Sequence, residues 1–171
     1  VLYKLMGKYE QALPILEDAT ELFATIFEKN HPEYALRIGN LGDLHQDMGN
    51  YPRALSLTED ALEILAQTLG KEHLFYGRML SDIGTLYKDM ARYEQAEGAY
   101  LEALANLKRN LGDAHPTYTR AIHNLGNLYL VQQKYDQARK YFEEGLLSAA
   151  KSTGKEQSDY GLALHNLGLL D

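Results

Sequence analysis

Residues 41–62 read LGDLHQDMGNYPRALSLTEDAL, and this stretch decides the fold because its pattern returns twice along the chain. Residues 83–104 read IGTLYKDMARYEQAEGAYLEAL, and residues 125–146 read LGNLYLVQQKYDQARKYFEEGL. The three stretches begin 42 residues apart, and each has a glycine at its second position, a tyrosine at its eleventh and an alanine at its fourteenth. A constant period of this length is typical of a protein built from stacked helical repeats.

The period of 42 residues continues outside these stretches. Its columns are Tyr9, Tyr51, Tyr93 and Tyr135; Ala12, Ala54, Ala96 and Ala138; Gly42, Gly84, Gly126 and Gly168; Tyr34, Tyr76, Tyr118 and Tyr160; Gly70, Gly112 and Gly154; and His31, His73 and His115. We therefore predict a single repeat array over the whole chain. It comprises a partial unit at residues 1–30, complete units at residues 31–72, 73–114 and 115–156, and half a unit at residues 157–171. Since neither end carries a polar capping helix, we expect a piece of a longer array.

Each unit is predicted to consist of two helices. Apolar residues recur at helical spacing across residues 35–48, and Gly49 interrupts them. Asn50 has a side chain suited to cap a second helix, and Pro52 falls in the first turn of that helix, where its missing N–H costs little. The second helix is expected to stop at Gly70. In the same way, Pro32 and Pro116 are expected to occupy the first position of a first helix.

The repeated small residues have a packing explanation. Gly42 and its equivalents would let the first helix approach its partner closely, and Ala54 and Ala61 would do the same from the second helix. His45 occupies the column of Tyr87 and Tyr129, so we interpret it as a packing residue. One unit cannot bury its apolar face alone, and stacking on neighbouring units completes the core.

The composition limits the classes of partner. The net charge of −7 and the isoelectric point near 5.4 disfavour nucleic-acid binding, which needs a basic excess. The absence of cysteine excludes a disulfide framework and a thiolate metal site. There is no apolar run of about 18 residues that would cross a membrane. These features fit a soluble protein, and we expect a cytoplasmic location and a protein or peptide partner of mixed charge.

In its pattern of small and large residues, residues 41–62 resemble the tetratricopeptide repeat family, and the resemblance covers essentially the whole chain. The period and the linker at residues 111–116, LGDAHP, resemble the branch that includes the kinesin light chain repeats and many bacterial repeat proteins. Residues 123–126 and 165–168, both HNLG, match the Leu-Asn-Asn-Leu-like segment of that branch. Residues 39–42, GNLG, match it in part, whereas the second complete unit departs from it with SDIG at residues 81–84.

This resemblance implies an all-α fold, a right-handed superhelical solenoid of antiparallel helix hairpins (an α-α superhelix). It also implies that the first helices line a concave groove. Polar first-helix residues that packing does not need are the candidate peptide-binding residues. They are Asn40, Asp43, Asp47, Arg78, Asp82, Lys88, Arg120, His123, Asn124, Asn127, His165 and Asn166.

The column of Asn40, Asp82, Asn124 and Asn166 is the sharpest candidate. An asparagine side chain both donates and accepts, so a ladder of them can hold the backbone of an extended peptide. Equivalent asparagines act as such clamps in the branch that the chain resembles, and the alternative is a hydrogen bond to the neighbouring helix.

Charged residues divide the candidate groove by sign. Arg78 and Arg120 could pair with a ligand carboxylate or phosphate, or remain solvated. Four carboxylates make the first half acidic, with Lys88 nearby: Asp43, Asp47, Asp82 and Asp89. This suits a ligand with basic residues toward that half and acidic residues toward Arg120.

Catalytic and metal-binding patterns are missing from the sequence. His123 and His165 share a column, but two histidines without a nearby carboxylate make a poor zinc site, so we interpret them as ligand contacts or packing residues. No His-Glu-x-x-His, phosphate loop or Gly-x-Ser-x-Gly segment occurs. We therefore predict no catalytic residue, no metal and no cofactor, and we do not expect an enzyme.

The leading hypothesis is a scaffold that binds a peptide segment or a partner domain through the concave groove. Two alternatives stay open. In the first, the array is a regulatory arm that controls an effector domain of the same longer protein. In the second, it is a structural element that forms homo-oligomers through its open ends.

Overall fold

The computed structural model describes residues 6–151 together with Gly161, His165 and Gly168. Residues 6–151 contain seven α-helices and no strand. The helices are α1 (Tyr9–Phe27), α2 (Pro32–Asp47), α3 (Tyr51–Thr68), α4 (Leu74–Asp89), α5 (Tyr93–Leu111), α6 (Pro116–Val131) and α7 (Tyr135–Lys151). The prediction of an all-α chain is confirmed, and the pairs α2/α3, α4/α5 and α6/α7 fall within the three predicted complete units. The unit boundaries themselves stay a prediction.

The chain divides into two compact units between Leu86 and Tyr87. In the first unit, α2 packs against α3 and α1 packs against α2. In the second unit, α6 packs against α7 and α5 packs against α6. A helix thus buries one face against its hairpin partner and a second face against a helix of the adjacent pair, as expected for repeats that cannot fold singly.

Histidines cap the first helices. His31 and His115 each accept, through Nδ1, a hydrogen bond of 3.1 Å from the backbone N–H two residues ahead. His73 does the same at 3.2 Å. These bonds satisfy one of the N–H groups that the first turn of a helix leaves without an intrahelical partner. Pro32 and Pro116 follow directly as the first helical residues, as predicted.

The turn between the two helices of a pair needs one residue in the left-handed conformation. Gly49 has φ of 75°, and the equivalent residues Ala91 and Gln133 have φ of 57° and 59°. Side chains with a Cβ adopt this conformation at a cost of about 1–2 kcal/mol, which explains the glycine at position 49. Asn50 precedes α3 as predicted, but its side chain makes no capping hydrogen bond, so that part of the prediction is wrong.

Glycines bring the paired helices into close contact. A Cβ on Gly42 would lie 2.8 Å from Thr58 Oγ1 and 3.3 Å from the backbone oxygen of Ala54. A Cβ on Gly126 would lie 2.5 Å from the Phe142 ring, which is fully buried. The predicted role of this glycine column in close packing is confirmed for α2/α3 and for α6/α7.

The variant Gly126→Ala should be less stable than the parent by about 1–3 kcal/mol, because the overlap with Phe142 outweighs the helix propensity gained by alanine. Gly98→Ala is the matched control, since Gly98 lies exposed within α5 and an added Cβ would meet no atom within 4 Å. That variant should gain up to about 1 kcal/mol. Urea denaturation followed by circular dichroism measures both free energies of unfolding, and a stabilised Gly126→Ala would contradict the packing role.

His45 is a buried side chain of α2, with 8% of its surface exposed. Burial is the main cause that lowers the pKa of its imidazole, the charge of Arg53 lowers it further, and Glu17 opposes them. The interpretation of His45 as a packing residue is confirmed.

This lowered pKa predicts a loss of stability in mild acid. Above the ordinary pKa of about 6.5, His45 is neutral in both the folded and the unfolded chain. As the pH falls below that value, the unfolded chain binds the proton first, and the free energy of unfolding decreases. His45→Tyr, which installs the residue found at positions 87 and 129, removes this contribution. Denaturation at pH 7.5 and at pH 5.5 should therefore show a smaller loss for the variant, and equal losses would contradict the assignment.

Candidate functional site

Helices α2 and α4 border an open groove within the first unit. Part of it is a cleft of about 220 Å³ lined by Leu36, Arg37, Gly39, Asn40, Asp43, Phe75, Arg78, Met79 and Asp82. A second cleft of similar volume continues from it and is lined by Asp43, Gln46, Asp47, Asp82 and Thr85. Because both clefts share Asp43 and Asp82, they form one continuous surface, which we call the α2/α4 groove.

The groove unites several candidates that are distant in sequence. Asn40, Asp43, Asp47, Arg78 and Asp82 all line it. Asp43 is partly exposed, and the other four side chains are exposed. The first helices of two successive predicted repeats, α2 and α4, therefore present these polar side chains side by side, on a surface open to solvent.

One end of the groove is apolar. Leu36 and Phe75 are half-buried there, and Met79 is 6% exposed and forms part of the floor. Gly39 lies against Met79, since a Cβ on it would stand 2.6 Å from Met79 Cε. Phe75 and Met79 are not among the residues predicted from the sequence. Their spacing held a signal, because Phe75, Met79 and Asp82 follow one another at positions i, i+4 and i+7 on one helix face.

The two arginines of the groove differ in what they contact. The Arg37 guanidinium is held by Glu33, with Nη2 3.4 Å from Oε2, and lies 4.5 Å from the centroid of the Phe23 ring. The side chains of Arg78 and Asn40, in contrast, make no hydrogen bond or ion pair with any residue that the structure describes. Arg78 therefore supplies the accessible cationic donor of the groove, and Asn40 supplies an accessible amide.

The remaining candidates lie elsewhere. Arg120, Asn124 and Asn127 share one face of α6, with Arg120 exposed and the two asparagines partly exposed. Lys88 forms an ion pair with the neighbouring Asp89, at 3.4 Å between Nζ and Oδ1. His165 is helical and exposed. Asn166 lies outside the described residues.

His123 is not a groove residue. Only 1% of its surface is exposed, and its ring centroid lies 6.3 Å from that of Phe142 in an edge-on arrangement. The imidazole occupies the space opposite Gly145, where the glycine has no Cβ to exclude it. The prediction that His123 faces a ligand is therefore wrong, because α6 turns this side chain toward α7.

A third, smaller cleft of about 180 Å³ lies in the second compact unit. Its lining residues are Lys108, Asp113, Tyr118, Glu144, Leu147, Ser148 and Lys151. Lys151 Nζ donates to Asp113 Oδ2 at 2.7 Å, and this contact holds the pKa of the Asp113 carboxyl below its usual range. Ser148 Oγ donates to the backbone oxygen of Asp113 at 2.6 Å.

Tyr118 completes this arrangement. Its hydroxyl donates to Glu144 Oε1 at 3.2 Å, and burial is the main cause that raises its pKa to about 12. Since these polar groups bind one another, we assign the cleft a structural role, in which it holds the linker between α5 and α6 against α7.

Two features relevant to function are absent from the described part of the chain. Its His, Asp and Glu side chains form no group of three that could hold a metal ion. None of its helices has the length and apolar character needed to cross a membrane.

Comparison with family models identifies the repeats. A tetratricopeptide repeat model matches residues 1–67 and 35–109, and a second tetratricopeptide repeat model matches residues 94–154. The chain belongs to the tetratricopeptide repeat family. Such repeats generally mediate protein–protein interaction, and scaffolds of this family are typically non-catalytic. A search of curated proteins gives no match.

Solved structures share the fold of this tetratricopeptide repeat chain. The crystal structure of BtubC (BKLC) from P. vanneervenii has 24% identity and a TM-score of 0.86, with 99% of this chain and 67% of that chain covered. A Podosopora anserina protein of kinesin light chain type, with nearly identical TPR-like repeats, has 21% identity and a TM-score of 0.80, with 98% and 80% covered. These likenesses confirm the predicted fold class, the α-α superhelix of tetratricopeptide-like hairpins.

Proposed function

We propose that this chain is a non-catalytic scaffold that binds a peptide segment of a partner protein along the α2/α4 groove. The observation that carries the proposal is the meeting of Asn40, Asp43, Asp47, Arg78 and Asp82 on one open surface. First helices of two successive predicted repeats contribute to it, so a ligand lying there would contact both at once.

The side chains of the groove suit an extended peptide. The Asn40 amide can donate to a peptide carbonyl and accept from a peptide N–H. The Arg78 guanidinium can donate to a neighbouring carbonyl, and a hydrogen bond to a charged group contributes more than one between neutral groups. An extended backbone offers both kinds of partner at every residue, which gives affinity without requiring a particular sequence.

The proposal is tested with peptides selected on the intact chain from a random decapeptide library displayed on phage. Asn40→Ala/Arg78→Ala should weaken the selected peptides more than about tenfold, because one neutral and one charged hydrogen bond together contribute about 2–4 kcal/mol. Isothermal titration calorimetry gives the dissociation constants, and circular dichroism confirms that the variant is folded.

Lys29→Ala/Gln95→Ala is the matched control, because it also removes one cation and one amide from exposed positions, outside the groove. Its affinities should stay within about twofold of the parent. Selected peptides that bind the Asn40→Ala/Arg78→Ala variant as tightly as the parent would place the binding surface elsewhere and refute the proposal.

Self-association is a second candidate, favoured by an exposed apolar face on α1. Ile15, Leu22 and Ile26 lie on that face and are 55%, 59% and 61% exposed. A second copy of the chain would bury these side chains, since large exposed apolar patches are typical of interaction surfaces.

Under this second candidate, the average mass measured by light scattering should rise above 19.3 kDa as the protein is concentrated. Leu22→Glu/Ile26→Glu should hold the mass at the monomer value, because a carboxylate is costly to bury. The control Leu101→Glu/Leu147→Glu changes two apolar side chains that are 44% and 65% exposed on other helices, and it should behave as the parent. A parent that stays monomeric at every concentration would eliminate this candidate.

A further inference from the structure

The two ends of the α2/α4 groove differ in chemistry. The end formed by the earlier turns of both helices presents the apolar side chains Leu36, Phe75 and Met79. The end formed by the later turns presents the carboxylates Asp43, Asp47 and Asp82. An apolar side chain of a ligand gains by burial at the first end, and a cationic side chain gains by attraction at the second.

We propose that the groove selects a peptide segment in which an apolar side chain and a lysine or arginine are separated by three positions. This inference rests on the proposed function, since it names the ligand chemistry of the same groove. Charge complementarity fixes the sign of the ligand. A glutamate or aspartate at the second end would face three carboxylates, whereas a lysine would be attracted by them.

The separation follows from the helix geometry. Leu36 precedes Asp43 by seven residues on α2, and Phe75 precedes Asp82 by seven residues on α4. Seven residues of α-helix extend about 10 Å along the axis. A peptide in the polyproline II conformation advances about 9 Å in three residues and then presents its side chain on the same face again. A β-strand returns to the same face only after two or four residues, at about 7 Å or 13 Å, so it matches the groove less well.

Arg78 adds a constraint at the apolar end. Arg78 is exposed, occupies the same column as Leu36 and precedes Asp82 by one helical turn, so a second cation beside it would be repelled. It can instead donate to the carbonyl groups that flank the apolar residue of the peptide. The cation of the ligand is thereby directed to the end that carries Asp43 and Asp82.

Symmetric synthetic peptides test the separation without regard to chain direction. Acetylated and amidated KSSLSSK has a lysine three positions from the leucine on both sides, and KSLSK and KSSSLSSSK have separations of two and four at the same charge. Chemical-shift titration of the isotope-labelled full chain gives each dissociation constant. KSSLSSK should bind at least about threefold more tightly than the two other spacings and at least about tenfold more tightly than ESSLSSE.

Substitutions in the chain test the charge. Asp43→Asn/Asp82→Asn keeps the shape of both side chains and should weaken KSSLSSK by about tenfold or more. Asp18→Asn/Asp60→Asn makes the same change of net charge at exposed positions of α1 and α3, away from the groove, and should change the affinity by less than about twofold. Equal weakening by both variants would mean that only the overall charge matters, which would overturn the inference.

The outcomes separate this inference from the proposed function. If KSSLSSK fails to bind, or binds no better than ESSLSSE or the two other spacings, the assigned ligand chemistry is wrong. The groove as a peptide site still stands in that case, provided that library-selected peptides lose affinity in Asn40→Ala/Arg78→Ala. If those peptides bind the Asn40→Ala/Arg78→Ala variant as tightly as they bind the parent chain, the proposed function is refuted independently.

Discussion

The closeness of the helices in the pairs α2/α3 and α6/α7 depends on the contact between a glycine of the first helix and one residue of the second. Thr58 and Phe142 are those residues, they lie 84 residues apart in the same column, and their exposed fractions are 4% and 0%. Opposite Gly42, the Thr58 hydroxyl is held by the backbone oxygen of Ala54 at 2.8 Å. Opposite Gly126, a phenyl ring occupies the equivalent space. Because glycine contributes no side chain, the opposing residue can change from a hydroxyl to an aromatic ring while the helices stay paired.

The fold was largely predictable from the sequence because the residues that determine it act locally and recur every 42 positions. Proline at positions 32 and 116 marks the first residue of a first helix, and glycine at position 49 marks a left-handed turn. The same turn at Ala91 and Gln133 carries no such signal, since these residues adopt a positive φ at an energetic cost that residue type does not reveal. The capping histidines were noticed as a column, but their role depends on a ring nitrogen reaching a backbone N–H, which spacing alone does not predict.

The candidate site was predictable only where its side chains are exposed. Asn40 and Asp82 were found because polar residues on varied columns of a first helix tend to face solvent. His123 was wrongly predicted to face the groove because large and small side chains change places between repeats. In one repeat the small Gly39 lies against Ala61. Two repeats later, the large His123 lies against Gly145, the equivalent of Ala61. A signal for the burial of His123 was the small size of two other members of its column, Gly39 and Ser81, although the fourth member, His165, is exposed. A single sequence shows the identity of each residue but not the partner whose loss of volume makes room for it.

In the proposed binding mode, ligand selection depends on pairs of neighbouring first helices rather than on one hairpin. Leu36 and Arg78 occupy the same column, as do Asn40 and Asp82, yet they differ in polarity or charge. A peptide bound as proposed in the α2/α4 groove would meet both members of each column, so its environment would combine two dissimilar side chains. A substitution in one unit therefore changes only one wall of a groove and leaves the packed columns intact. Because the exposed columns and the packed columns are different residues, the exposed first-helix surface can vary between repeats while the glycine contacts within the helix pairs stay the same.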